Sequence, residues 1–211
     1  SEASRTQDMD FAHAGKSLAL ALPANVQIDT HAAIESLQMG LLPMAGLLNK
    51  AGATYLNPKN PEFRLDFLTT LHRGGETPYE HPQLGVALQP LKFMEYPLTG
   101  TTQAALFCAE GGVVVSVPHP ARYALHKLLV YGERKGSYLQ KSGKDLSQAA
   151  ALLAFFKAHR AWEIDEAWAD LLSRGPGWRT RAKQGLAALA KAARELDAQN
   201  WLAMPKKRST T

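Results

Sequence analysis

Apolar and polar residues alternate in two segments of the first half of the chain, residues 6–11 and 63–68. A period of two is typical of a half-buried β-strand, in which successive side chains point to opposite faces. In each segment the aspartates lie on the polar face: Asp8 and Asp10 in the first, Asp66 in the second. The pattern therefore predicts two strands that both present carboxylates on one side.

Shorter apolar runs predict three more strands, at residues 54–56, 86–88 and 113–117. The last of these reads Val-Val-Val-Ser-Val and is the strongest strand signal, because β-branched side chains favour the pleated sheet. Residues 72–82 contain a Gly pair and two prolines, so we predict a loop there.

Helical spacing of apolar residues predicts one helix in the first half of the chain and four in the second. The early helix covers residues 30–42, with Pro43 at its end. The later four begin at Pro120 and at about residues 142, 163 and 178, and the last three extend to about residues 157, 173 and 196.

This order of elements predicts an α+β fold, a mixed sheet with flanking helices followed by a C-terminal helical bundle. We expect a catalytic domain over residues 1–118, a helical domain over 119–204 and a disordered basic tail over 205–211. All four tryptophans fall in the helical half, and we expect them to be core residues: Trp162, Trp168, Trp178 and Trp201.

Charge is distributed unevenly along the 211 residues, whose formal net charge is +5. Up to Ala121 there are 7 Lys and Arg against 11 Asp and Glu, and from Arg122 onward there are 17 against 8. A basic half beside acidic metal ligands would suit a polyanion such as a nucleoside triphosphate or RNA, although basic helices also serve solubility.

Several classes of protein are excluded by simple features of the sequence. Cys108 is the single cysteine, so neither an internal disulfide nor a cysteine-based zinc site can form, and we expect a cytoplasmic protein. The chain has no His-Glu-x-x-His pair, no signal-peptide pattern at its start and no apolar run long enough for a membrane span. We therefore expect no membrane partner.

Two carboxylates on one side of a strand, two residues apart, can bind a hard divalent cation or bridge two. A third carboxylate on a neighbouring strand would complete a two-metal site, and Asp66 is the candidate. We expect two Mg²⁺ ions there, with Mn²⁺ as a substitute. An Asp-x-Asp pair alone is common by chance. Haloacid-dehalogenase-type phosphatases place an apolar strand before it and nucleotide-sugar glycosyltransferases a longer domain, and neither pattern fits residues 1–7.

The segments Thr-Gln-Asp-Met-Asp-Phe at 6–11 and Arg-Leu-Asp-Phe-Leu-Thr at 64–69 resemble the catalytic strands of the polymerase-beta-type nucleotidyltransferase superfamily. Further segments resemble a bacterial family of minimal nucleotidyltransferases, which is related in pattern to abortive-infection nucleotidyltransferase toxins. These segments are residues 84–91, 117–129, 144–150 and 174–179.

This resemblance implies that Asp8 and Asp10 are paired metal ligands. It implies that Asp66 is the third carboxylate and accepts the proton of the attacking hydroxyl. It also implies nucleotide contacts in the helical half for Lys127, Lys144 and Asp145. We add Arg122 to this nucleotide-binding set, since it forms a stripe with His126 on the same predicted helix as Lys127. Asp145 has a structural alternative, because Ser-Gly-Lys-Asp at 142–145 has the spacing of a capping box. Lys144 is unfavourable at a helix start, which indicates an anionic ligand nearby.

The superfamily carries a Gly-Ser or Gly-Gly turn shortly before the Asp-x-Asp strand, where backbone N–H groups hold the triphosphate. Seven residues precede Asp8 and none forms such a turn. We therefore expect an N-terminally truncated chain, weak in catalysis as it stands.

The resemblance predicts metal-dependent transfer of a nucleotidyl group from a nucleoside triphosphate, such as ATP, to a hydroxyl of RNA (a tRNA end), a protein or a small molecule. The alternative is a non-catalytic RNA-binding or toxin–antitoxin interaction protein that keeps the fold. The two differ in whether the three aspartates come within reach of one metal.

Overall fold

A computed structural model describes residues 8–13, 27–45, 51–71, 75–133 and 142–203 of the chain. The chain divides into two compact units, Ser1–Leu98 and Thr99–Thr211, referred to below as the first and second units. A β-hairpin at residues 101–118 falls within the second unit.

The first unit is built on a mixed β-sheet. The described elements of this unit are β1 (Asp8–His13), α1 (Thr30–Ser36), β2 (Leu42–Ala45), β3 (Ala51–Asn57), β4 (Asn60–Thr70), β5 (Tyr79–His81), β6 (Val86–Leu91) and α2 (Glu95–Thr99), which ends at the unit boundary. The strand order is β2-β3-β4-β6-β5, and β1 also pairs with β4. The β1–β4 and β4–β6 pairs are parallel, and the other pairs are antiparallel.

Alternation along β4 decides which side chains of the first unit are buried. Leu65 and Phe67 are buried and pack with Tyr55 of β3 and Leu88 of β6. Because side chains alternate across a strand, the residues between them face the other side of the sheet. The apolar half of β4 therefore anchors the strand in the core, and the polar half is left on the opposite face with Asp66.

The second unit contains a β-hairpin and a bundle of helices. The hairpin strands are antiparallel, and a short 3₁₀ turn at Arg194–Leu196 lies between the last two helices. The elements are β7 (Thr101–Cys108), β8 (Gly111–Pro118), α3 (Pro120–Glu133), α4 (Ser142–His159), α5 (Ala161–Ser173), α6 (Pro176–Ala192) and α7 (Ala198–Ala203).

Helices α3 and α6 approach each other closely because glycines stand at the contact. A Cβ added to Gly185 of α6 would lie 2.2 Å from the carbonyl oxygen of Leu128 on α3. A Cβ added to Gly132 of α3 would lie 2.4 Å from the carbonyl oxygen of Arg181 on α6. Since real Cβ atoms do not come so near, this packing requires glycine at both positions.

The predicted α+β fold is confirmed, and so are all five predicted strands, as β1, β3, β4, β6 and β8. The four helices expected in the second half are confirmed as α3 to α6, the last of which ends at Ala192 before the 3₁₀ turn. In the part of the chain that the structure describes, no helix is long and apolar enough to cross a bilayer. The tail at 205–211 lies outside the described residues.

Three predictions about local structure are wrong. Helix α1 ends at Ser36 rather than at residue 42, because Gln38 and Gly40 adopt left-handed backbone with φ of 54° and 66°. The segment 72–82, predicted as a loop, contains β5, which pairs with β6. Trp162 is 59% exposed on α5, although its neighbour Trp168 is buried as expected.

Candidate active site

The parallel pairing of β1 with β4 places two of the three candidate aspartates side by side. Asp10 is the register partner of Asp66, and Asp8 is the register partner of Arg64. Since partners on adjacent strands point to the same face of a sheet, Asp10 and Asp66 share a face. Asp10 is exposed there, whereas the side chain of Asp8 lies outside the described part of the chain.

The carboxylate of Asp66 is held by two neighbours in the sheet. Thr54 on β3 is its register partner, and the Thr54 hydroxyl donates a hydrogen bond of 2.6 Å to Oδ1 of Asp66. Arg64, two residues earlier on β4, brings its Nε within 3.2 Å of Oδ2. Both carboxylate oxygens are therefore fixed by charge-assisted contacts, and the Asp66 side chain is only 19% exposed.

The donor set of this face is carboxylate oxygen, the ligand that Mg²⁺ and Mn²⁺ prefer. Among the described residues, no group of three or more His, Cys, Asp and Glu side chains is arranged to hold a metal ion. Asp10 and Asp66 occupy one register position of this face. The third ligand predicted from the sequence is Asp8, whose backbone occupies the adjoining position of the register.

The helical half contains the four residues predicted to bind nucleotide, and two of them form an ion pair. Nζ of Lys127 on α3 lies 3.0 Å from Oδ1 of Asp145 on α4 and 4.9 Å from the ring centre of Tyr123. Burial acts to lower the pKa of Lys127, but Tyr123 and Asp145 outweigh it and raise that pKa above its ordinary value. Asp145 thus joins α4 to α3, whereas the Ser142 side chain of the proposed capping box is outside the described residues.

Arg122 contacts a different helix from Lys127. Its Nη1 lies 2.6 Å from Oδ2 of Asp170 on α5, and Arg174 approaches the same oxygen at 3.1 Å. Burial acts to raise the pKa of Asp170, but the two guanidinium groups outweigh it and lower that pKa below its usual value. Lys144 is exposed at the start of α4. The structure therefore brings Lys127 and Asp145 together and places Arg122 with Asp170 instead.

The pKa of His126 shifts in the opposite direction from the pKa of its neighbour Lys127. It is buried on α3, and burial, with Lys127 as the second cause, lowers its pKa to about 3. The imidazole is therefore neutral at physiological pH and packs inside the second unit.

Sequence reasoning missed the partners of the candidate residues. Thr54 looked like an ordinary strand residue, and its hydrogen bond to Asp66 depends on an antiparallel register that one strand alone does not reveal. Asp170 lies far along the chain from Arg122, with no local signal to join them. The contact of Arg64 with Asp66 could have been predicted from the sequence, since the two residues share the polar face of one strand.

Comparison with known proteins supports the class of protein that this sheet indicates. Residues 1–173 match the model of a family described as nucleotidyltransferase, so the chain belongs to that family. Membership supports nucleotidyl transfer as the general function and indicates an enzyme. No curated protein matches the chain. The crystal structure of an antigenic nucleotidyltransferase-like protein from Paracoccidioides brasiliensis is 17% identical, covering 84% of this chain and 75% of its own, with a TM-score of 0.34.

Proposed function

We propose that this protein transfers a nucleotidyl group from a nucleoside triphosphate to a hydroxyl acceptor, in a reaction that depends on a divalent metal. The observation that carries the proposal is the parallel register of β1 and β4, which sets Asp10 beside Asp66 and Asp8 beside Arg64. Family membership supplies the class of reaction, and the register supplies carboxylates for it.

Asp8, Asp10 and Asp66 would hold Mg²⁺, as two ions with Mn²⁺ as a substitute, because their oxygens suit a hard cation. When bound, the metal neutralises charge on the triphosphate and lowers the pKa of the acceptor hydroxyl. Asp66 accepts the proton of that hydroxyl. Thr54 and Arg64 are positioning residues, since they hold the two oxygens of Asp66 and act on the reaction only through that carboxylate.

Lys127 and Lys144 are the cations proposed for the triphosphate, because positive groups near the leaving pyrophosphate stabilise developing charge. Lys127 has three N–H donors, and its contact with Oδ1 of Asp145 uses one of them. Asp145 then orients the ammonium group rather than competing for it.

The test uses α-labelled nucleoside triphosphates, Mg²⁺ and either total RNA or total protein as acceptor. Asp66→Asn removes the acceptor of the proton while keeping the shape of the side chain. Glu62→Gln is the matched control, since Glu62 is an exposed carboxylate near the start of the same strand. We expect wild type and Glu62→Gln to label the acceptor and Asp66→Asn to lose labelling.

Equal labelling by wild type and Asp66→Asn would contradict the catalytic role of Asp66. Absence of labelling with every triphosphate would instead favour a non-catalytic RNA-binding or toxin–antitoxin interaction protein with the same fold.

A further inference from the structure

A cavity of about 350 Å³ opens within the second unit, beside the first turn of α5. We call it the α5 cavity. Its volume falls in the range of small-ligand sites. None of the predicted metal-binding aspartates lines it. Its wall is formed by the first residues of β7, the connection from β8 to α3, and α5, and the side chains that matter below are His119, Arg122, Arg160, Trp162 and Glu163.

A buried carboxylate organises one side of the α5 cavity. The Glu163 side chain is only 6% exposed, Nε2 of His119 lies 3.1 Å from its Oε2, and Arg160 contacts its other oxygen through Nε. The backbone N–H of Ala121 donates to Nδ1 of His119 at 3.3 Å, which leaves Nε2 as the imidazole nitrogen beside Glu163. Paired cations offset part of the cost of burying this carboxylate, although neither of its oxygens receives a hydrogen bond from the described residues.

Arg122 also lines the α5 cavity. Asp170 binds its Nη1, and a Cβ added to Gly100 would lie 2.8 Å from its Nε. The guanidinium group therefore lies directly against the backbone of Gly100. Among the residues that line the cavity, two arginines stand against two carboxylates, Glu163 and the exposed Glu166, so positive charge is balanced. This balance does not suit a bare phosphate and suits a planar, polar ligand instead.

Trp162 supplies an aromatic surface at the mouth of the α5 cavity. Its side chain is 59% exposed, whereas Trp168, nearly two turns further along the same helix, is 7% exposed. An indole left in solvent beside a lined cavity has the chemistry of a base-stacking platform, since every nucleobase presents a π-face. Arginine side chains next to it can donate to the edge of a stacked base.

We propose that the α5 cavity binds one unstacked nucleoside of a single-stranded RNA, with its base on Trp162 and the donors of Arg160 and Arg122 at the base edge and sugar. RNA binding at this cavity does not depend on the transfer reaction. That the acceptor of nucleotidyl transfer is RNA rests on the proposed function.

The test measures fluorescence anisotropy of a labelled single-stranded oligoribonucleotide with the full chain, without triphosphate or metal. We expect Trp162→Ala to weaken binding about tenfold or more, in line with the value of one base stacked on an aromatic residue. Trp162→Phe should retain most of the affinity. Phe155→Ala is the matched control, because Phe155 is an exposed aromatic residue on α4 that does not line the cavity.

A competition arm completes the test. Unlabelled duplex RNA of the same sequence should compete poorly, since its bases are not free to stack. Equal binding by wild type and Trp162→Ala, equal competition by duplex RNA, or no binding of RNA would each overturn the proposal. Loss of labelling activity with intact RNA binding would instead locate the failure in the proposed transfer reaction.

Discussion

The hydroxyl of Thr54 donates a hydrogen bond of 2.6 Å to Oδ1 of Asp66, across the antiparallel pair of β3 and β4. The two residues are direct register partners, so the bond is set by the sheet and not by a mobile loop. Arg64 approaches the other oxygen of the same carboxylate. Asp66 therefore has one preferred orientation, which is the property required of a metal ligand.

Loss of the Thr54 hydroxyl should impair turnover more than it impairs folding. A hydrogen bond to a charged group contributes about 1.5 kcal/mol or more, so Thr54→Val should lower the rate of nucleotidyl transfer about tenfold. Thr54→Ser keeps the hydroxyl and should restore the rate. Thr54→Ser and Thr54→Val with equal rates would show that the bond does not position Asp66.

The Lys127–Asp145 pair allows structural and phosphate-binding roles to be separated. Lys127→Met removes the cation that pairs with the buried carboxylate of Asp145 and should lower the free energy of unfolding by about 3 kcal/mol. The double variant Lys127→Met with Asp145→Leu should recover most of that loss, as measured by urea denaturation. If Lys127 also contacts the triphosphate, the stable double variant stays slow in transfer. Full activity of the double variant would leave the pair with a structural role alone.

Burial of His126 makes stability depend on pH in a definite direction. Its pKa is about 3 in the folded chain against 6.5 when solvated, so the unfolded chain takes up a proton that the folded chain excludes. The contribution of neutral His126 to the free energy of unfolding is complete above pH 6.5 and is lost as pH falls toward 3. The total loss is on the order of 4 kcal/mol.

Urea denaturation between pH 6.5 and about pH 4.5, above the range in which most carboxylates titrate, isolates this effect. We expect His126→Phe to flatten the pH dependence there and the exposed-histidine variant His159→Gln to leave it unchanged. A wild-type profile that is already flat over this range would show that His126 is accessible to protons.

The α3–α6 contact predicts opposite outcomes for two glycines of one helix. Gly185→Ala forces a methyl group onto the Leu128 carbonyl and should destabilise the fold by about 3 kcal/mol. Gly177→Ala meets no atom within 4 Å and should be neutral or slightly stabilising, because alanine favours helix. Thermal unfolding compares the two, and a Gly185→Ala variant as stable as wild type would mean that the helices separate easily.

Local alternation was enough to predict the strands that carry the aspartates, because a half-buried strand must alternate. Alternation was insufficient for β7, which has a mixed pattern of polar and apolar residues. This segment forms a strand because it pairs with β8. The end of α1 was missed because Leu41 continues the helical spacing, although left-handed backbone at Gln38 has already ended the helix. The contacts of Thr54 and Arg122 are long-range, and no local pattern encodes them.

The central claim is that the carboxylates on β1 and β4 form a divalent-metal site, and titration with Mn²⁺ followed by electron paramagnetic resonance tests it without an acceptor. We predict that wild type and Glu62→Gln reduce the signal of free Mn²⁺ alike, and that Asp10→Asn and Asp66→Asn each weaken Mn²⁺ binding about tenfold or more. Equal binding by wild type and both Asn variants, or no binding by wild type, would contradict the claim.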